Sequence, residues 1–149
     1  MREILFRGQT RKLGEKVKMN GEKLPGKWVY GGIFQGTGCY SVMYGCPDAN
    51  DITGATLEKH VVYTDTVGQF TGLTDKNGTK IFEGDIVKDE YILGKVVYNT
   101  KQEDFDGAAS FMIDDVDDGL QSYRFWNSVE VIGNIHDNPE LIGGADNGL

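Results

Sequence analysis

Residues 66–87 read TVGQFTGLTDKNGTKIFEGDIV. Residues 68–75 and 79–82 carry apolar and β-branched side chains on either side of Asn77-Gly78. That dipeptide between two such runs is the strongest short-range hairpin signal, because a tight turn needs positive φ and Asn and Gly supply it. Gly84-Asp85 then turns the chain into Ile86-Val87-Lys88. The glycine permits the turn, and the aspartate is placed to accept hydrogen bonds from backbone N–H groups just before it.

The pattern continues outward. Residues 94–99, GKVVYN, predict a strand that pairs with 86–88, and SFMI at 110–113 predicts another. Residues 114–119 read as an acidic loop. Residues 123–126 and 129–135 read as closing strands. Asn138 followed by Pro139 suits the start of one short helical turn, and the Gly-rich stretch 143–149 reads as a flexible tail.

Toward the N-terminus, residues 3–7 alternate with Ile4 and Phe6 on one face and predict a strand. Residues 10–26 are polar, with a type I′ turn expected at Asn20-Gly21. KWVYGGIF at 27–34 predicts a strand with a bulge or bend at Gly31-Gly32, and CYSVMY at 39–44 its return. PDANDITGAT at 47–56 reads as a loop and a linker, and KHVVYT at 59–64 as a strand. No segment shows a sustained 3.6-residue apolar period.

Short strands at roughly 8–12-residue spacing predict an all-β or β-rich protein with little helix. The 21 glycines in 149 residues are twice the usual ~7% and fit many turns. A G-D-x-V turn followed by a strand opening G-x-V is the pattern of small SH3-like barrels. The division expected is an N-terminal β portion at 1–58, packed on an SH3-like barrel portion at 59–142, with the tail beyond.

Charge is uneven. The basic segment from Arg2 to Lys27 belongs to a stretch, residues 1–27, with eight bases against three acids, a net of +5. The remainder has seven bases against twenty acids, a net of −13, for −8 in all. A basic arm beside an acidic body either binds an anion such as nucleic acid or packs on its own body or a neighbouring subunit. The second reading is favoured, since the body repels phosphate and the arm has little aromatic interleaving for base stacking.

The chemistry-bearing residues do not assemble into a motif. Cys39 and Cys46 read as free thiols, and with His60 and His136 far off in sequence they lack zinc spacing. Glu103, Asp104, Asp106, Asp114, Asp115, Asp117 and Asp118 form an acidic run. A calcium loop needs alternate acids, a glycine and a glutamate at position twelve. Counted from Asp114 that position is Phe125. A solvated face is the commoner meaning of such a run; mimicry of DNA phosphate is the sharper one. His60 or His136 as a general base has no nucleophile or orienting acid at a recognisable spacing, leaving only a site assembled across distant segments, with an acid such as Asp85. Ser41, Ser110, Ser122 and Ser128 lack a G-x-S-x-G frame. No catalytic, cofactor-binding or metal residue is therefore assigned, and no cofactor. No apolar run approaches the ~20 residues of a membrane helix, and the first residues lack the pattern of a secretory signal. A cytoplasmic protein with no membrane partner is expected.

Five segments together, REILFRG (2–8), KWVYG (27–31), residues 66–87, GKVVYN (94–99) and VEVIGNIHDNPELI (129–142), resemble the YopX family of phage and prophage proteins. Residues 9–26, 35–58 and 100–122 do not carry the pattern. The resemblance implies a mostly β domain, a phage or prophage setting in a bacterial host's cytoplasm, and self-association. It supplies no activity and no catalytic residues. The expected function is a non-enzymatic accessory protein acting through protein–protein contacts or as a homo-oligomer, with a phage or host protein as a possible partner. The alternative is nucleic-acid binding through Arg2 to Lys27.

Overall fold

A computed structural model of the chain describes residues 3–11, 25–35, 40–44, 59–99, 110–121 and 126–143. Within them the chain forms antiparallel strands joined by turns and short 3-10 segments. This is the β-rich class with little helix expected from the sequence. Two compact units divide at Gln69/Phe70, inside one strand. The hairpin expected at Asn20-Gly21, the loop at 47–56, both cysteines and Glu103, Asp104 and Asp106 lie outside the described residues.

The first unit contains β1 (Phe6–Arg11), β2 (Pro25–Phe34), β3 (Tyr40–Tyr44), β4 (Lys59–Tyr63) and the start of β5 (Gly68–Thr74). β1 pairs with β2, β2 with β3 and β3 with β4. Thr10 opposite Val62 joins β4 back to β1, so these four strands close a ring. At Gly31-Gly32 the partner of β2 changes. Gly31 pairs with Phe6 of β1, and Gly32 with Tyr44 of β3. The irregularity in register falls instead on β1, between Gln9 and Arg11.

β1 is shifted from the expected 3–7: it starts later, at Phe6, and continues through Gly8, Gln9 and Thr10 to Arg11. The polar residues are held there by partners distant in sequence. Phe6 and Arg7 pair with Gln69 and Gly68 of β5, and Thr10 pairs with Val62 of β4. The two registers differ by three residues, the length of the 3-10 turn Thr64–Thr66 between β4 and β5. Within that turn the Thr66 hydroxyl donates to the Tyr63 carbonyl (2.7 Å) and accepts from the Gln9 N–H (2.9 Å). A buried polar strand residue thus has its amide satisfied where the ladder is interrupted. Val29, Met43 and Val62 form the core, with Phe6, Ile33 and Val67 against them. A Cβ on Gly8 would lie 3.0 Å from a Val62 methyl, so glycine lets β1 approach β4 closely.

The second unit contains the rest of β5, then β6 (Lys80–Phe82), β7 (Asp85–Lys88), β8 (Leu93–Asn99), β9 (Ser110–Asp115), β10 (Gly119–Gln121) and β11 (Glu130–Asn134). β5 and β6 form the expected hairpin, with Phe70 opposite Phe82. The other five strands form an antiparallel sheet in the order β10-β9-β8-β7-β11. Ile81, Val87, Ile92, Val96, Ile113, Trp126 and Val129 make its core. Ile86 and Met112, next to Val87 and Ile113 in sequence, are also fully buried, so β7 and β9 are covered on both faces. This is why their sequences read as continuous apolar runs rather than alternations.

Three expectations are corrected here. The acidic stretch 114–119 is a hairpin: Asp114 and Asp115 end β9, and Gly119 opens β10 at φ 74°. Trp126 lies in the 3-10 turn Trp126–Ser128 rather than in a strand, with its ring in the core. Pro139–Ile142 is a single 3-10 turn ended by Gly143 at φ 70°. Asn138 does not cap it with its side chain; its Oδ1 accepts instead from the Asn134 N–H at 3.4 Å.

Candidate functional site

Four aspartates hold turns, and of these only Asp115 belongs to the acidic run that the sequence offers. Asp75 sits in the β5–β6 turn, where the Gly78 N–H donates to the Asp75 carbonyl (3.0 Å) and Gly78 follows at φ 80°. Its Oδ1 accepts from the N–H groups of Asn77 (2.8 Å) and Thr79 (2.9 Å), and its Oδ2 from that of Val131 (3.0 Å). Asp85 accepts from the Phe82 N–H at 2.8 Å, as the Gly84-Asp85 pattern predicts. Gly84 takes φ 91°, its N–H donates to Val96, and its carbonyl accepts from Ile135. Asp89 receives the N–H groups of Tyr91 and Ile92. Asp115 receives those of Asp117 and Asp118 on one oxygen and that of Leu93 on the other.

Asp75, Asp85 and Asp115 are buried. Burial pushes the carboxyls of Asp75 and Asp115 up. The backbone N–H groups of Val131, Thr79 and Asn77, and of Asp118, Asp117 and Leu93, outweigh it and hold both below the ordinary range. These carboxylates are charged, enclosed and committed to the backbone. Among the described residues no group of three or more His, Cys, Asp or Glu is placed to hold a metal ion.

The two histidines belong to different units. His60 is half-buried on β4 of the first unit, opposite Met43. His136 follows β11 in the second unit, where its backbone N–H donates to Asn134 Oδ1. Of the basic segment, Arg2 and residues 12–24 lie outside the described residues. Arg7 is buried in β1 with its guanidinium 4.8 Å from the Trp28 ring centre, and Lys27 is exposed.

The exposed apolar residues form the more specific arrangement. Across an antiparallel ladder, directly opposed residues share a face. Phe34 opposes Val42, and Val42 opposes Val61, so one row crosses β2, β3 and β4. Phe34 is 71% exposed, Val61 52%, and Val42 half-buried. Tyr30, an even number of residues before Phe34 on β2, is 45% exposed. Val29, Met43 and Val62 are core residues at odd offsets from them, so the row lies on the opposite, outward side of the sheet. Sequence reading gave these aromatics to strands but missed the row. In β2 both alternating sets are apolar, so only the register separates core from surface. In the second unit Tyr91 (89% exposed) and Val116 mark two loops joined by the Val116 N–H to the Leu93 carbonyl.

These features define a small antiparallel β protein with two cores, aspartate-held turns and an outward apolar row. The family model described as YopX protein matches residues 28–143, from within β2 to the end of the last turn, and the chain belongs to that family. No curated protein matches it. Among the described residues no helix is long and apolar enough to cross a membrane.

Proposed function

We propose that this chain is a non-enzymatic phage or prophage accessory protein that acts through protein–protein contacts, in the cytoplasm of a bacterial host. The observation that carries the reading is the outward row Phe34–Val42–Val61 with Tyr30 beside it. Exposed apolar side chains gathered in one row mark interaction surfaces, and aromatic residues dominate such surfaces energetically. The buried aspartates favour the same reading, since their oxygens are taken up by backbone N–H groups. The Gly84-Asp85 turn leading into β7 and β8 supports an SH3-like barrel for the second unit. Light scattering on eluted protein at ~0.05 and ~0.5 M salt tests the reading, since salt screens charged contacts and leaves apolar ones. A mass above the single chain at both salts supports apolar contacts between copies. Failure of alanine replacements at Tyr30, Phe34 and Val61 to change assembly or partner binding overturns the reading.

A second reading is nucleic-acid binding through Arg2 to Lys27, a stretch with eight bases against three acids. It requires affinity for labelled DNA or RNA that falls steeply with salt.

A further inference from the structure

We propose that Asn77 is a latent site of spontaneous modification. Its side-chain amide is the substrate of an intramolecular conversion to aspartate or isoaspartate, which the turn around Asp75 blocks while the chain is folded.

The chemistry belongs to the dipeptide. In Asn77-Gly78 the backbone nitrogen of Gly78 follows the asparagine side chain, and no Cβ on that glycine hinders its approach. Once base has taken its proton, that nitrogen attacks Asn77 Cγ. The new N–C bond closes a five-membered succinimide, the bond from Cγ to the side-chain nitrogen breaks, and ammonia leaves with a proton returned from solvent. One water then opens the ring. Opening at Cγ gives aspartate. Opening at the main-chain carbonyl gives isoaspartate, whose backbone runs through the side chain and is one carbon longer. The balance is one water consumed and one ammonia released, with no oxidant or reductant. Asn77 and Gly78 are both exposed, so water and base reach them.

What the fold withholds is the nitrogen. The Gly78 N–H donates to the Asp75 carbonyl at 3.0 Å. A succinimide nitrogen carries no hydrogen, so ring closure breaks this bond. The flanking peptides are held as well. The Asn77 and Thr79 N–H groups donate to Asp75 Oδ1 at 2.8 and 2.9 Å, and the Asp75 N–H donates to the Thr79 carbonyl at 2.8 Å. The turn is in turn tied to the second unit, with the Val131 N–H on Asp75 Oδ2 and the Lys76 N–H on the Val129 carbonyl, each at 3.0 Å. One hydrogen bond of ordinary strength lost on the way to the transition state slows a reaction about tenfold, and several are at stake here. The unfolded chain is free of that penalty. The modified fraction at Asn77 therefore counts chains that have been unfolded, and the extra carbon of isoaspartate spoils the fit of the turn when they refold.

Peptide mapping by mass spectrometry of the intact chain, held at mildly alkaline pH, tests this through the mass gained when the amide becomes an acid. In guanidinium chloride Asn77 is expected to convert alongside Asn20 and Asn147, each of which also precedes glycine. In buffer, conversion at Asn77 is expected to be at least about tenfold slower than in the denaturant. Asp75→Ala is expected to bring the buffer rate most of the way to the denatured rate. Asp75→Asn keeps one accepting oxygen and is expected to lie between. Far-ultraviolet spectra show which variants are folded in buffer, and where Asp75→Ala is unfolded, Asp75→Asn decides. Equal rates at Asn77 in buffer and in denaturant overturn the inference. A wild-type rate in a folded Asp75 variant also overturns it, since the protection then belongs to the fold at large and not to this turn.

Discussion

Asp75 and Val131 are joined across 56 positions of sequence: the Asp75 Oδ2 accepts the Val131 N–H at 3.0 Å while its Oδ1 closes the β5–β6 turn. One side chain therefore holds a local hairpin and a distant strand. Removing it leaves three backbone donors without their acceptor. Asp75→Ala is expected to lower stability by about 2–4 kcal/mol, since each lost acceptor at a buried or half-buried site costs about 1–3 kcal/mol and exposed donors recover water. Asp75→Asn keeps one accepting oxygen and is expected to lose about half as much. Urea unfolding of the two variants checks the order.

The same carboxylates make the second unit sensitive to acid. Asp75 and Asp115 have folded-state pKa values below the ordinary 3.8. A lowered folded pKa adds stability at pH above the unfolded value, and that stability is lost as pH falls through the folded value. The urea midpoint is expected to be insensitive to these two groups near neutrality and to fall below pH 3.8. Replacing both aspartates with asparagine is expected to lower stability at neutral pH and to flatten the acid limb. An acid limb unchanged in the double variant assigns the effect to other groups.

Two glycines separate crowding from strain. A Cβ on Gly94 would lie 2.3 Å from the Asp114 carbonyl oxygen and 2.8 Å from an Ile113 methyl. The nearer obstacle is backbone, so the strand has to shift. Gly94→Ala is expected to cost about 3 kcal/mol, at the upper end for an overpacked site. Gly78 has open space around it but sits at φ 80°. Gly78→Ala is expected to cost about 1 kcal/mol from the left-handed backbone alone. Thermal unfolding ranks the pair.

Thr66 is a hydrogen-bond relay within the first unit. Thr66→Val preserves shape and removes both the donor to Tyr63 and the acceptor for Gln9. The expected loss is about 1–3 kcal/mol. Amide exchange at Gln9 is expected to accelerate relative to the Val62 amide in the core. Equal acceleration at both sites points to global loosening instead.

Much of the second unit is legible locally. Asn77-Gly78 and Gly84-Asp85 announce their turns, because positive φ and a short accepting side chain are properties of the residues themselves. β10 is not legible. It is three residues long, and the acids before it suggest solvent when one of them, Asp115, is buried by its bonds to Leu93, Asp117 and Asp118. The Leu93 partner lies 22 positions away, and no local spacing encodes it. The ring of the first unit is hidden for a similar reason. Gln9 and Thr10 look like the start of a loop until β4 and β5 arrive. The outward row is hidden because Trp28, Val29, Tyr30, Ile33 and Phe34 are apolar on both sides of one strand. Only the opposition of Phe34 to Val42 and of Val42 to Val61 assigns the face.

The aspartate clasps have a consequence for how this protein drifts over generations. At Asp75, Asp89 and Asp115 the anchor is one carboxylate and the things anchored are backbone amides, which every residue except proline supplies. The residues at positions 77, 90, 91, 117 and 118 contribute their backbone amides or merely span the turn. They are free to change while the aspartate stays and no proline enters where an amide is held. Relatives that share this architecture are expected to keep the three aspartates and to diverge most at the loop tips between them.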